Sequence, residues 1–215
     1  MIAALLLAAG ESTRMGRAKA LLPWGGVPLL EYQLGELAGA IDGELIVVLG
    51  HRAEELEPIV RRRGARMVVN SRYREGRATS IAAGVAAVSP DAEAVLIASV
   101  DQPRPRSVVA GLIAAHRQLG GTITRAVYGQ RHGHPTVFAR TLFEELRRVS
   151  EESEGLKSVL RRHADGIRDA ELGDPIVLVN LNTPAEYSAA LAALRLRPGD
   201  GATGRPDDGD TARAG

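Results

Sequence analysis

The sequence predicts an α/β domain whose sheet is mostly parallel with a small antiparallel portion. Short apolar runs of strand length alternate along the chain with helical patterns, and this alternation is typical of parallel sheets covered by helices on both faces. The composition agrees, because 45% of the 215 residues are hydrophobic and 25% are charged, which suits one globular domain with a buried core. Residues 122–138 depart from the alternation, since two strand-like runs flank residues 129–133 and indicate a hairpin or an antiparallel insertion.

The individual strands and helices follow from apolar periodicity. The first run is continuous, too short to span a bilayer and not preceded by a basic region, so it indicates a strand buried on both faces rather than a signal peptide. Runs of this kind predict strands at residues 2–7, 44–49, 67–69, 94–100, 122–127, 136–138 and 176–179. Apolar residues at helical spacing predict helices at residues 28–37, 53–63, 79–88, 106–119 and 184–194. Pro28 supports the first helix, because proline is favoured at the first helical position.

Charge and cysteine content exclude several classes of protein. With 27 basic and 26 acidic residues the formal net charge is only +1, which argues against binding nucleic acid by broad charge neutralisation. The chain has no cysteine, so disulfides, thiolate zinc sites, iron–sulfur clusters and a cysteine nucleophile are excluded. No run reaches about 18 apolar residues, so we expect no membrane span. We expect a cytoplasmic location, with which the lack of cysteine agrees.

Two parts of the chain differ in composition. Residues 1–196 carry all the predicted strands and helices and form the predicted folded domain. Residues 197–215 contain five Gly, two Pro and four Asp, and no large apolar side chain. Such a segment cannot bury enough surface to offset its ordering entropy, so we predict a disordered tail.

The most informative segment is LAAGESTRMGRAK at residues 7–19, which follows the first predicted strand. In an open α/β sheet, ligands bind at the carboxyl ends of strands, so this turn is a candidate anion site. It combines glycines, hydroxyls and cations, a set that can hold a triphosphate. These residues are Gly10, Gly16, Ser12, Thr13, Arg14 and Lys19.

Three common motifs do not fit this turn. Five residues separate Gly10 from Gly16 and Arg17 follows, whereas a Walker loop has four residues between its glycines and then a lysine. The dinucleotide fingerprint is also missing, and Arg14 stands where a nucleophile elbow needs its last glycine. The alternative is an ordinary strand-to-helix loop with solvated charges. Only two of the 27 basic residues are lysines, so a lysine beside this loop favours the anion site.

Further motifs appear downstream in a fixed order. They are the extended first motif LAAGESTRMGRAKALLPWGGVPLL, then EGRATSIAAG at residues 75–84, DQP at 101–103, GHP at 133–135 and NLNTPAEY at 180–187. With them, the chain to about residue 194 resembles the nucleotidyltransferases related to the molybdenum-cofactor cytidylyltransferase and guanylyltransferase, the MobA/MocA-like family. The set in this order resembles the MocA-like branch. The resemblance implies a three-layer, Rossmann-like nucleotidyltransferase fold.

The resemblance also implies a reaction. The enzyme would transfer CMP from CTP to a molybdopterin-type molybdenum cofactor, releasing pyrophosphate and forming molybdopterin cytosine dinucleotide. Mg²⁺ is the implied cofactor, and a molybdoenzyme that receives the product is the implied partner, without nucleic acid or membrane. Two alternatives stay open. One is a nucleotidyltransferase that uses GTP or another acceptor, and the other is a non-catalytic module that binds and delivers the nucleotide or cofactor.

Catalytic and metal-binding residues are likewise implied by the resemblance. Arg14 and Lys19 would grip the phosphates, and Asp101 would complete the catalytic set as a metal ligand. Asp101 follows an apolar strand, where a carboxylate can hold Mg²⁺, although an aspartate in such a place can also simply form a turn. A second metal ligand would be Asn180 or Asn182, with a slight preference for Asn180, because Asn182 also suits a helix N-cap.

The resemblance assigns the substrates to two further groups of residues. His134 is the implied acceptor-binding residue, and Thr79 or Ser80 has the alternative role of capping the helix that follows. The alanine pair in LAAG favours a cytosine nucleotide, because a glycine at its second position would make room for a purine edge. The implied nucleotide-binding residues are Leu7, Ala8, Ala9, Gly10, Ser12, Thr13, Arg14, Gly16, Lys19, Gly76, Thr79 and Ser80.

Other polar and aromatic residues are expected away from the chemistry. His116 and His163 lie in charged helical surroundings and are predicted at the surface. Trp24, which is followed by two glycines, is predicted to pack over the core after the first turn.

Overall fold

The structure is a computed structural model that describes residues 1–194, and the predicted disordered tail at residues 197–215 lies outside the described residues. Its strands are β1 (Ile2–Ala8), β2 (Pro23–Trp24), β3 (Val27–Pro28), β4 (Leu45–Leu49), β5 (Arg66–Val69), β6 (Ala94–Ser99), β7 (Ile123–Tyr128), β8 (Arg131–Ala139) and β9 (Ile167–Glu171). Its α-helices are α1 (Leu29–Ala38), α2 (Ala53–Arg62), α3 (Arg77–Ala87), α4 (Arg106–Leu119), α5 (Phe143–Leu146), α6 (Leu156–Arg162) and α7 (Pro184–Ala193).

Seven strands form one sheet in the order β5-β4-β1-β6-β8-β7-β9. β1 pairs in parallel with β4 on one side and β6 on the other, while β8 runs antiparallel to both β6 and β7. β2 and β3 form a separate two-stranded antiparallel sheet. The predicted α/β class, with a mostly parallel sheet, a small antiparallel portion and a hairpin between β7 and β8, is therefore confirmed.

The central strand β1 shows why the domain has three layers. All of its side chains are buried, as the continuous apolar run predicts, and successive residues point to opposite faces of the sheet. Ala4 and Leu6 pack in the cluster that includes α1, α2 and α4, whereas Ala3 and Leu5 pack in the cluster that includes α3, α5 and α6. Helices thus cover both faces, and the sheet between them fixes the positions of the strand ends.

A third apolar cluster lies beside the main core and joins the segment around β2 to α7. Trp24 is fully buried there, with its ring centroid 6.3 Å from that of Tyr32 and 6.4 Å from that of Tyr187 in α7. The hydroxyl of Tyr187 donates a hydrogen bond to the carbonyl oxygen of Pro23. The predicted packing of Trp24 over the core is confirmed, with α7 as its partner.

One predicted strand is wrong. Residues 176–178 lie instead in the 3₁₀-helix Pro175–Leu178, and Val179 is its C-cap. This helix begins where the side chain of Asp174 accepts a hydrogen bond from the backbone N–H of Ile176. The strand that actually completes the sheet is β9, which pairs in parallel with β7 at the sheet edge. Its sequence IRDAE carries exposed charged residues, so it lacks the apolar run by which the other strands are recognised.

The two histidines that were predicted at the surface, His116 and His163, are both at least half-buried. His116 is buried and its Nδ1 lies 2.8 Å from the hydroxyl oxygen of Thr124, so the predicted surface position is wrong. His163 is half-buried, with its Nε2 2.6 Å from the carboxylate of Glu145.

Within residues 1–194 no helix combines the length and apolarity needed to cross a membrane.

Candidate functional site

A cavity of about 390 Å³ opens at the carboxyl ends of β1 and β6, where ligands bind in open α/β sheets. The predicted site residues that line it are Leu7, Ala9, Gly10, Ser12, Lys19, Gly76, Ser80, Asp101, Asn180 and Asn182. The predicted residues Ala8, Thr13, Gly16, Thr79 and His134 lie outside its lining. The side chain of Arg14 falls outside what the structure describes.

The turn after β1 holds its shape through its own hydrogen bonds. Ser12 and Gly16 both adopt the left-handed conformation, with φ of 55° and 66°. The N–H of Met15 donates to the carbonyl oxygen of Ser12 at 2.9 Å. The hydroxyl oxygen of Ser12 accepts from the backbone N–H of Lys19 at 3.1 Å. The turn therefore folds back so that the start of the 3₁₀-helix Lys19–Leu21 lies against Ser12.

Lys19 is a buried cation in the lining of the cavity. It is only 9% exposed, and its ammonium donates to Asp101 Oδ2 at 3.0 Å and to Asn182 Oδ1 at 3.1 Å. The two acceptors, Asp101 and Asn182, lie 82 and 163 positions after Lys19 in the sequence. The fold therefore brings together one predicted phosphate-binding cation and two of the predicted metal ligands.

Asp101 is held in place through the backbone that precedes it. Gln33 of α1 is buried, and its carboxamide nitrogen donates to the carbonyl oxygens of Ser99 at 3.1 Å and Val100 at 2.8 Å. Buried carbonyl groups at a strand end need such partners, because leaving them unpaired is costly. The carbonyl oxygen of Asp101 in turn accepts from the N–H of Leu181 at 2.8 Å, which ties the two ligand-bearing segments together.

The two asparagines have different surroundings. Asn180 Oδ1 accepts from Gln102 Nε2 at 2.7 Å, whereas Asn182 Oδ1 accepts from Lys19. The N-cap of α7 is Thr183, whose hydroxyl forms a capping box with Glu186, so the alternative N-cap role of Asn182 is excluded. Asn182 is therefore the asparagine that shares a bonding partner with Asp101.

Arg104 anchors the segment that carries these asparagines. It is 2% exposed and donates only to carbonyl oxygens among the described residues, namely those of Pro103, His134, Val177 and Val179. Burial lowers the pKa of Arg104 to about 9, so the guanidinium is still charged at pH 7. Arg104 thus joins the 3₁₀-helix and β8 to the loop after β6. No sequence motif marks it as a structural anchor.

The opposite side of the cavity is formed by the start of α3. Its N-cap is Gly76, so the alternative that Thr79 or Ser80 caps the helix is wrong. The carboxylate of Glu151 accepts from the backbone N–H of Ala78 at 2.7 Å and satisfies this helix end from a distant loop. Asn70 Nδ2 donates hydrogen bonds to the hydroxyl oxygens of Thr79 at 2.9 Å and Ser80 at 3.0 Å.

Five residues outside the predicted set also line the cavity, namely Tyr73, Arg77, Ser99, Val100 and Gln102. A Cβ at Gly50 would lie 2.7 Å from the Cβ of Tyr73 and 2.9 Å from that of Ala9, so these two side chains are close neighbours. Arg77 begins α3 and is exposed. Tyr73 does not stand out in the sequence, because a lone tyrosine carries no pattern, whereas Arg77 lies within the EGRATSIAAG motif but had no role assigned to it.

His134 lies next to this site, at the GHP motif. Burial, together with the nearby cations Arg77 and Arg104, lowers the pKa of His134 to about 4, so the ring is neutral at pH 7. A Cβ at Gly133 would lie 2.3 Å from the carbonyl oxygen of Val177, so only glycine allows β8 to pass this close to the 3₁₀-helix. The motif therefore has a packing role irrespective of any acceptor.

The parallel sheet, the antiparallel β8 and the polar cavity at the ends of β1 and β6 define an α/β domain of the nucleotidyltransferase fold. Residues 4–167 match the MobA-like NTP transferase domain. The chain belongs to this MobA-like family.

Three curated relatives show how far the similarity extends. The bifunctional protein GlmU of Pelobacter propionicus is 31% identical over 151 residues, which cover 69% of this chain and 32% of GlmU. Nicotine blue oxidoreductase of Paenarthrobacter nicotinovorans is 34% identical over 145 residues, which cover 63% of this chain and 70% of the relative. Molybdenum cofactor guanylyltransferase of Xanthomonas euvesicatoria is 50% identical over 50 residues, 23% of this chain and 26% of the relative. The chain thus spans about a third of the GlmU relative's length.

Solved structures extend the similarity to most of the chain. The Rv0371c homologue from Mycobacterium sp. strain JC1 is 30% identical with a TM-score of 0.77, covering 91% of this chain and 98% of the other. A nucleotidyl transferase from Methanothermobacter is 26% identical with a TM-score of 0.76, covering 92% and 99%. Rv0371c of Mycobacterium tuberculosis in complex with manganese is 26% identical with a TM-score of 0.71, covering 89% and 98%.

Proposed function

We propose that the protein transfers CMP from CTP to a phosphate of a molybdopterin-type molybdenum cofactor, releasing pyrophosphate and forming molybdopterin cytosine dinucleotide. The observation that carries this proposal is the convergence of Lys19, Asp101 and Asn182 on one cavity of a MobA-like domain. The similarity to a molybdenum cofactor guanylyltransferase supports the acceptor, and the alanine pair of the first motif supports the cytosine base. The substrates are small molecules, and a molybdoenzyme in the cytoplasm would receive the product.

A divalent cation fits the residues at this site. Asp101 and Asn182 offer carboxylate and carboxamide oxygens, the hard ligands that Mg²⁺ prefers, and together they already hold the ammonium of Lys19 as a stand-in cation. Within the described chain no cluster of three or more His, Asp or Glu side chains is suited to a metal, so the triphosphate would supply further oxygens. Bound there, Mg²⁺ would neutralise negative charge on the phosphates.

The chain's own residues would act by positioning and by charge. A phosphate oxygen of the acceptor attacks the α-phosphorus of CTP, the bond from that phosphorus to the bridging oxygen breaks, and pyrophosphate leaves. The acceptor phosphate is already ionised near pH 7, so no general base is required. Lys19 would neutralise charge on the leaving pyrophosphate, and the turn after β1 would donate backbone N–H groups to it. Arg14 belongs to the same turn, and we propose that it also binds the phosphates.

The direct test is to incubate the purified protein with Mg²⁺, each of the four nucleoside triphosphates and the molybdopterin-type cofactor, and to identify the product by mass. We expect the cytosine dinucleotide and pyrophosphate. The guanine dinucleotide alone would favour the GTP-using alternative, to which the guanylyltransferase similarity also points. Binding of CTP without any product would favour a non-catalytic delivery module.

A pair of variants isolates the role of Asp101. Asp101→Asn should reduce metal-dependent turnover by at least about 10²-fold, because it removes the negative charge that would hold the metal. Asp91→Asn removes the same charge from an exposed residue just before β6, at the opposite end of that strand, and should leave turnover unchanged. Equal rates in the two variants would contradict the proposed metal site.

A further inference from the structure

The ammonium of Lys19 lies where the proposed divalent cation would lie. It bonds to Asp101 Oδ2 and to Asn182 Oδ1, the same two oxygens that fit the metal. Its side chain is 10% exposed and that of Asp101 is 27% exposed, so the ion pair is sheltered from water. A monovalent cation that belongs to the chain therefore occupies the ligand set.

The surroundings hold Lys19 in this arrangement. Its backbone N–H donates to Ser12 Oγ at 3.1 Å, which fixes the start of the side chain. The N–H of Leu181 donates to the carbonyl oxygen of Asp101 at 2.8 Å, which keeps Asn182 close to Asp101. Both oxygens that accept from the ammonium are thus placed by backbone contacts that do not depend on a ligand.

Two cations cannot share these oxygens at low cost. An ammonium and a divalent ion in contact with the same carboxylate repel each other, and few other ligands are at hand, since no cluster of three or more His, Asp or Glu suited to a metal occurs among residues 1–194. A triphosphate changes this balance, because its oxygens offer Lys19 another partner and offer the metal more ligands.

We propose that Lys19 is a built-in placeholder for the divalent cation. The divalent cation gains the oxygens of Asp101 and Asn182 only when the phosphates of a nucleotide draw the ammonium of Lys19 away. Metal and nucleotide then strengthen each other's binding, and the metal alone binds weakly. This inference rests on the proposed function only in taking a nucleoside triphosphate as the ligand that draws Lys19 away.

The test is a titration with Mn²⁺ in the absence of nucleotide, followed through the signal of free Mn²⁺ in electron paramagnetic resonance. Lys19→Met keeps a side chain of similar length without the charge, and it should bind Mn²⁺ at least about tenfold more tightly than the unaltered protein. Lys157→Met is the matched control, because Lys157 is the chain's other lysine and is exposed on α6, and its affinity should not change. Unchanged or weaker Mn²⁺ binding by Lys19→Met would overturn the proposal.

Two further variants keep the result interpretable. Lys19→Arg retains the positive charge and should bind Mn²⁺ as weakly as the unaltered protein, so a gain in this variant would also count against the placeholder. Lys19→Met combined with Asp101→Asn should lose the gain, which locates the bound Mn²⁺ at this ligand set. Thermal melting of each variant shows that the fold is retained.

Adding a non-hydrolysable CTP analogue measures the coupling. It should tighten Mn²⁺ binding by the unaltered protein more than by Lys19→Met, because only the former must release its ammonium. Equal tightening in both proteins would overturn the proposal. The titrations without nucleotide require neither turnover nor an acceptor, so they can succeed even if the proposed transfer of CMP fails.

Discussion

In the proposed binding mode, Ala9 is the residue whose side chain would border the nucleobase. It lines the cavity next to Tyr73, whereas the neighbouring Ala8 packs in the core on the other face of the sheet. The two alanines of the same motif therefore have different roles. Strand alternation explains this, because successive side chains of β1 point to opposite faces and Ala9, which directly follows β1, continues the pattern.

Ala9→Gly should shift nucleotide preference towards GTP. Removing one methyl group from the cavity wall makes room for a purine edge, and one methylene-sized change in a pocket is worth about tenfold in selectivity. The ratio of the CTP and GTP dissociation constants should change by about that factor, measured by calorimetry with Mg²⁺. Ala8→Gly is the control, since it should lower stability by about 1 kcal/mol without changing the ratio. A shift in both variants, or in neither, would contradict this role of Ala9.

We predict that His116 makes the stability of the fold depend on pH. Burial is the main cause that lowers the pKa of His116 below 6.5, so the folded protein holds this ring neutral while the unfolded chain protonates it. Its contribution to stability is therefore fully present above pH 6.5 and is lost as the pH falls through the lowered pKa. His116→Gln should show a smaller loss of unfolding free energy between pH 7.5 and 5 than the unaltered protein, measured by urea denaturation. The same loss in both proteins would show that His116 is not responsible.

Residues with direct chemical motifs could be predicted from the sequence, whereas residues that act through the backbone could not. Lys19 and Asp101 stand in recognisable motifs, and the structure brings them within 3.0 Å. Arg104 bonds to a carbonyl oxygen 73 positions away, and Gln33 to one 66 positions away. A backbone carbonyl has no side-chain signature, so the fold must be known before such contacts can be identified.

Among the elements, α3 depends on a carboxylate from a distant loop. A Cβ at Gly76 would lie 2.2 Å from the Cγ of Glu151, and Gly76 has a φ of 120°, a conformation that favours glycine. The absent side chain leaves the path by which Glu151 reaches the N–H of Ala78. Gly76, the first glycine of the EGRATSIAAG motif, therefore shapes the edge of the cavity through the start of this helix.

Gly76→Ala should destabilise the fold by about 1–3 kcal/mol, from backbone strain and from the contact with Glu151. Glu151→Ala should cost about 1 kcal/mol, the usual effect of removing a helix cap. Because the second substitution also removes the contact, the double variant should be more stable than the sum of the single effects, as measured in a double-mutant cycle by urea denaturation. Simple additivity would mean that Gly76 is required for its backbone conformation alone.

Two elements could not be predicted from the sequence, for different reasons. Residues 176–179 are apolar enough for a strand, yet Asp174 and Pro175 begin a 3₁₀-helix there, and Arg104 takes two of the carbonyl oxygens that a sheet would use. β9 has few apolar residues because it pairs on only one side, at the edge of the sheet. An apolar run indicates that a segment is buried. It does not distinguish a strand from a short helix whose carbonyl oxygens bond to a buried side chain such as Arg104.

At the scale of the whole molecule, the sheet gathers the site from segments far apart in the chain. Parallel pairing of β1 with β4 and β6 brings the carboxyl ends of these strands to one edge. α7 then closes over β2 and β3 through Trp24 and Tyr187, and the segment before α7 contributes Asn182. The last described helix is therefore part of the architecture that completes the cavity.

Two truncations follow from this arrangement. Removing residues 197–215 should leave the melting temperature within about 2 °C and turnover unchanged, because a tail without large apolar side chains has little to bury. Ending the chain at residue 182 removes α7 and its capping box, exposes Trp24 and should lower the melting temperature by about 10 °C or more. Scanning calorimetry of both truncated chains measures the difference. A large loss on removing only residues 197–215 would mean that this segment belongs to the folded domain.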